Sequence, residues 1–169
     1  CDIVVYEVLP PAQNNLANGT EKDRMKASPI WSRDGKFIVY TQSQAKGTDS
    51  NIFMVDVAGA QSTLLTPHEG EKLYEANDAS PDGKHVLITS NAANGYANVG
   101  LLEIAAKKVH WLTEDKWEIQ GASFSPDGKS LTYTANVDGN IELYLYDSAA
   151  GKTRALPLAK GLNWPAGNA

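Results

Sequence analysis

The chain has 169 residues, of which 42% are hydrophobic and 21% charged, so it is the size of one ordinary domain and rich enough in apolar residues to bury a core. Its net charge of −5 argues against a nucleic-acid partner, because phosphate binding asks for a basic face. No apolar run approaches the roughly 20 residues that cross a bilayer, and the single cysteine, Cys1, excludes an internal disulfide.

In chain order, the first predicted element is "DIVVYEV" (Asp2 to Val8), a strand that begins almost at once. Residues 1–26 read as the outer strands of a unit whose other strands are not in this stretch. Cys1 fits a chain cut from a longer one; the alternative, the lipid-bearing cysteine of a bacterial lipoprotein, would lead into a polar tether rather than a strand. "SRDGK" (Ser32 to Lys36) follows, and "SPDGK" occurs at Ser80 to Lys84 and again at Ser125 to Lys129. The Asp-Gly pairs Asp34-Gly35, Asp82-Gly83 and Asp127-Gly128 are thus 48 and 45 residues apart, a spacing typical of modular repeat folds. Each pentapeptide is a turn. Pro81 and Pro126 preset φ at the first central position, Asp follows, and Gly takes the left-handed conformation that other residues avoid.

A β-rich run leaves each turn: "FIVYT" (Phe37 to Thr41), "HVLIT" (His85 to Thr89) and "SLTYT" (Ser130 to Thr134). Ile38 and Tyr40 align with Val86 and Ile88 and with Leu131 and Tyr133, while Val39, Leu87 and Thr132 share the other face. A strand apolar on both faces is buried on both. Glycine-bearing loops ("KGTDSN", "NGYAN", "DGN") lead to a third strand ("IFMVDV", "VGLLEI", "LYLYD"), and a shorter fourth segment ("STLLTP", "KVHWLT", "TRALPL") closes each unit. Three full units, 27–73, 74–118 and 119–160, therefore contain four short strands each, and "GLNWPAG" within 161–169 starts another, with Trp164 answering Trp31. Four strands cannot bury both faces alone, but units stacked around an axis can. The predicted fold is all-β, a partial β-propeller of three four-stranded blades plus flanking strands. An arc of three leaves two faces open, and Ile38, Tyr40, Leu131 and Tyr133 are the expected side chains on them.

"IWSRDGKFIVYTQ…NIFMVDV…TLLTP" resembles the Asp-Gly propeller repeat of the TolB type and the propellers of the prolyl oligopeptidase family, along nearly the whole chain. The stretch from Thr66 to Thr113 and the tail "GLNWPAGN" are more similar to the bacterial peptidase propellers. That resemblance implies a non-catalytic propeller segment of a prolyl-oligopeptidase-family serine peptidase, gating peptide substrates and docking on a hydrolase domain absent from this chain. The alternative it leaves is a TolB-like protein-binding propeller of the bacterial cell envelope. The implied partners are the remaining blades and hydrolase domain of the parent protein, or a second copy of the chain, with a peptide or protein ligand, no nucleic acid and no membrane span. A periplasmic or secreted setting is favoured, with a cytoplasmic one left open.

No catalytic residue is expected in this chain itself. The Gly-x-Ser-x-Gly elbow of the peptidases has no counterpart; the nearest string, Gly121 to Ser125, ends in Ser and leads into a turn. His68, His85 and His110 fall at different places in their units, so the His-containing metal site of oligogalacturonate lyases, which share this kind of blade, is not expected, nor any cofactor. The aspartates Asp34, Asp82 and Asp127 read as turn acceptors rather than a carboxylate ring. "DGN" at Asp138 to Asn140 lacks the remaining ligands of a calcium loop. Trp31, Trp111, Trp117 and Trp164 are expected to pack between blades. Asn18-Gly19-Thr20 is a glycosylation sequon, of consequence only outside bacteria.

Overall fold

The computed structural model describes residues 2–8, 11–17, 25–44 and 46–157. Cys1, the sequon at Asn18 and the segment 158–169 with Trp164 lie outside the described residues. Among the described residues, every regular element is a strand.

The strands form four antiparallel sheets. β1 (Ile3–Val8) pairs with β2 (Pro11–Ala17). The first full blade is β3 (Met25–Trp31), β4 (Phe37–Ser43), β5 (Ser50–Asp56) and β6 (Ser62–Leu64). The second is β7 (Tyr74–Ala79), β8 (His85–Ser90), β9 (Asn98–Glu103) and β10 (Lys108–Trp111). The third is β11 (Glu118–Phe124), β12 (Ser130–Val137), β13 (Asn140–Asp147) and β14 (Lys152–Leu156). Strands are hydrogen-bonded in chain order within each blade, the meander that short hairpin turns dictate. The all-β fold and its four-stranded units stand as the repeat predicts. The first full blade opens at Met25, two residues before the expected start at 27.

The period-2 alternation of the second strands divides their side chains between two inter-blade cores. Val39 faces forward and meets Val86 and Ile88 of the next blade, together with Ile52 and Leu65. Leu87 and Val99 face forward and meet Leu131, Tyr133 and Ala135. Ile38, Tyr40 and Val55 face backward onto Ile3 and Leu16 of the β1–β2 pair. Ile38, Tyr40, Leu131 and Tyr133, expected on open faces, are therefore all buried. Two of them lie under the N-terminal strand pair, and the other two face the second blade rather than away from it.

The same spacing identifies what β1 and β2 are. Thirteen residues separate Ile3 from Leu16, Ile52 from Leu65 and Val99 from Leu112, and each pair packs forward on the following sheet. β1 and β2 thus correspond to the third and fourth strands of a blade. On that register Tyr6 matches Val55; Val55 is fully buried, whereas Tyr6 is 69% exposed. At the other end of the arc, Thr132, Leu143 and Leu145 form the half-buried outward face of the third blade.

Two of the described tryptophans depart from expectation. Trp31 is 48% exposed. Trp111 lies over Gly100 of its own sheet, where an added Cβ would come 3.1 Å from the indole. Of the three described tryptophans, only Trp117 joins an inter-blade core.

Candidate functional site

The two ends of the arc differ in chemistry. The Asp-Gly turns occupy one end and repeat a single hydrogen-bond pattern. The Gly35 amide donates to the Ser32 carbonyl (3.0 Å) and the Ser32 amide to the Phe37 carbonyl (2.9 Å). Ser32 Oγ and the Lys36 amide donate to Asp34 Oδ1 (2.8 and 3.2 Å), and the Phe37 amide donates back to Ser32 Oγ (3.0 Å). Ser80, Asp82, Lys84 and His85 repeat this, as do Ser125, Asp127, Lys129 and Ser130. Gly35, Gly83 and Gly128 have φ of 71°, 68° and 69°.

Each turn carboxylate is held below its ordinary range by these donors. Lys36, 2.9 Å away, and then Ser32 bring Asp34 down to about 2. Ser80 chiefly lowers Asp82, and Ser125 chiefly lowers Asp127. All six turn residues hold their own loops rather than converging.

At the other end the first strands begin and the loops between second and third strands return. Along the first strands, between this end and the turns, the blades are stitched by side chains reaching backbone groups of the next unit. Each first strand carries an irregularity in its pairing at the same place: between Ala27 and Ile30, Ala76 and Asp78, and Ile119 and Ala122. Amides in and just beyond it find acceptors across the gap. The Ala76 amide donates to Thr41 Oγ1 (3.0 Å), that of Ala122 to Asn77 Oδ1 (3.2 Å) and that of Phe124 to Asp78 Oδ2 (2.9 Å). Asp78 Oδ1 also lies 3.9 Å from Arg33 Nη2, so one carboxylate touches all three blades.

A second repeated pair closes the first two blades. Thr66 Oγ1 donates to Asn51 Oδ1 (3.1 Å) and accepts from the Ile52 amide (2.9 Å). Thr113 and Asn98 repeat this at 2.9 Å, with Thr113 Oγ1 accepting from the Val99 amide at 3.0 Å. The sequence signal, Asn before the third strand and Thr fifteen residues later, was there to be read; Asn140 breaks it, with Ala155 at the matching place.

His68 is the one histidine with close partners among the described residues. Its Nε2 is 2.8 Å from Asp49 Oδ1 and its Nδ1 2.9 Å from the Thr66 carbonyl, tying the linker between the first two blades to the 44–49 loop. Burial pushes Asp49 up, but His68, the Lys72 amide and Gln44 outweigh it and leave the carboxyl below its usual range. His85 lies 3.9 Å from Asp82 and His110 is exposed. Among the described residues no three of His, Cys, Asp and Glu are grouped as metal ligands.

The same end holds a cavity of about 370 Å³. The first strands of all three blades wall it, through Ala27 and Ser28, Tyr74 and Glu75, and Glu118 and Ile119. Leu73, Asn91, Gly95 and Ala97 also line it, and Ser43, Ser50 and Ser90 add hydroxyls. The volume falls in the range of small-ligand and side-chain pockets. Neither the repeat nor the strand pattern foretold it, because it arises only where blades converge.

A family model described as "TolB beta propeller domain" matches residues 12–166. Among curated proteins, the Tol-Pal system protein TolB of Francisella tularensis subsp. tularensis is 28% identical over 126 residues, covering 74% of this chain and 28% of its own length. The chain therefore spans little more than a quarter of that relative. Among solved structures, TolB from Acinetobacter baumannii superposes with a TM-score of 0.72 at 20% identity, over 95% of this chain and 38% of the other. A puromycin hydrolase matches with a TM-score of 0.66 at 17% identity, over 88% of this chain and 22% of the other. At these identities the structural likeness establishes the fold.

Proposed function

Because the chain belongs to the TolB β-propeller domain family, we propose that it is a non-catalytic propeller module that receives a protein or peptide chain at the end where its first strands begin. The observation that carries this reading is the cavity of about 370 Å³ walled by the first strands of three successive blades. The opposite end spends its polar groups on its own turns, whereas this end presents the cavity together with exposed Leu73 and Tyr96. Exposed apolar groups beside a concave site mark a binding surface.

Two parent proteins suit such a module. In one, it belongs to a TolB-like protein of the bacterial envelope and holds a protein partner; the curated relatives support this reading. In the other, it gates peptides entering a prolyl-oligopeptidase-type hydrolase domain and docks on that domain; the likeness to the puromycin hydrolase propeller supports it. The coding sequence downstream of Ala169 separates the two, through a Gly-x-Ser-x-Gly elbow followed by Asp and His.

The test of the common reading is site-directed photo-crosslinking. A benzoylphenylalanine at Tyr96 is expected to give a discrete protein adduct in the source cells, and the same group at Lys36, on the turn end, none. Equal labelling from both positions overturns it. Turnover of chromogenic peptide or ester substrates by the repurified chain would overturn its non-catalytic assignment.

A further inference from the structure

We propose that the cavity at the start of the first strands is a receptor for a cationic side chain, lysine or arginine, of a peptide partner. This rests on the module reading above and adds the chemistry of what enters. Among the described residues, two carboxylates line the cavity, Glu75 from β7 and Glu118 from β11, and no Lys, Arg or His does. Both glutamates are exposed.

Glu118 is held in place: its Oε2 accepts the Ala97 amide at 3.1 Å, and the Ile119 amide donates to the Ala97 carbonyl at 3.1 Å. The 91–97 loop of the second blade and the first strand of the third thus fix one carboxylate. Its other oxygen remains able to accept from a ligand. The facing wall is also set: Ser28 keeps a left-handed φ of 52°, ahead of Pro29, in the irregular part of β3. A non-glycine residue in that conformation persists only where its surroundings determine it.

The rim suits the stem of such a side chain. Leu73 is 42% exposed and Tyr96, between the lining residues Gly95 and Ala97, is 44% exposed. Lysine and arginine lay an apolar stem on such surface while the charged head reaches polar groups. An apolar rim, two acids and hydroxyls at Ser43, Ser50 and Ser90 match that division along one side chain. An acidic peptide would instead meet like charge at Glu75 and Glu118.

The probe is N-acetyl-Leu-Lys-Leu-amide, with N-acetyl-Leu-norleucine-Leu-amide as its uncharged near-isostere, titrated into ¹⁵N-labelled protein. The lysine peptide is expected to shift the amides of residues 73–76, 90–97 and 118–119, at least tenfold more tightly than the norleucine peptide. The double variant Glu75→Gln/Glu118→Gln keeps a side-chain acceptor for the Ala97 amide and is expected to melt with the parent, yet to lose that tenfold preference. Raising salt from 20 to 300 mM should weaken the lysine peptide and leave the other unchanged. Equal binding of the two peptides at these residues overturns the cation receptor while leaving the peptide-binding module intact. Shifts confined to other residues, or none, overturn it as well, and the crosslinking experiment then decides the module on its own.

Discussion

At Gly83 and Gly128 the repeat is enforced by conformation and by contact. Both sit at φ near +70°, and a Cβ on Gly128 would lie 3.0 Å from Pro81 Cδ of the preceding turn, so the turns also abut one another. Gly128→Val is expected to lower stability by roughly 1–3 kcal/mol, the scale of strain at such positions, and Gly83→Val by a similar amount. Equal melting temperatures of variant and parent would refute the turn geometry. The turn aspartates set an acid limit. Asp34 sits near 2 in the fold, below the about 3.9 of an unfolded aspartate, so its contribution is present above pH 4 and is lost as pH falls toward 2. Asp82 and Asp127 are lowered too and act with the same sign. A thermal melt series from pH 7 to 2 should show the triple variant Asp34→Asn/Asp82→Asn/Asp127→Asn below the parent at neutral pH and converging on it below pH 4. A constant gap across the series would assign the effect to something other than charge.

In the first two blades the outer half depends on one repeated polar pair. Asn98 is fully buried, and its side chain donates to the carbonyls of Tyr96 and Asp115 and accepts from Thr113 Oγ1 and the Asp115 amide. Asn98→Ala leaves these groups without their partner, at about 1–3 kcal/mol for each that stays buried and unpaired. Asn140→Ala, at the exposed third-blade counterpart, should stay within about 0.5 kcal/mol of the parent. Chemical denaturation of both variants checks the contrast, and equal losses would contradict it. The contrast also shows what was legible. Turns and strands were, because Asp-Gly pairs and alternating apolar runs act within five or six residues. The facing of Ile38 and Tyr40 was not, because their alternation predicts two buried faces without saying which neighbour covers each. The Ala76–Thr41, Ala122–Asn77 and Phe124–Asp78 bonds span 35 to 46 residues, and a side chain that meets a backbone amide leaves no pattern in the partner's sequence. The cavity was hidden for the same reason, its wall being drawn from three separate strands.

The arc holds together as a stack in which each sheet covers the one before it, so its stability is a sum of neighbour terms. The β1–β2 pair is the thinnest layer, yet it covers the backward face of the first blade. Ile38, Tyr40 and Val55 are buried beneath Ile3 and Leu16. Fully burying a large apolar side chain contributes about 1.5–3 kcal/mol, so this face is worth about 5–9 kcal/mol. A whole domain is stable by about 5–15 kcal/mol, which makes the pair a structural necessity for the first blade rather than an appendage. Removing residues 1–24 is therefore expected to abolish the cooperative melt of the first blade, or to drive association through the uncovered face. The second and third blades, joined through Leu87, Val99, Leu131 and Tyr133, should keep their amide protection longest. Hydrogen exchange resolved by residue, with light scattering against the 18.2 kDa monomer mass, reads both effects. A truncated chain that stays monomeric and protects Val39 and Ile52 as the parent does would show that the first blade does not need this cover.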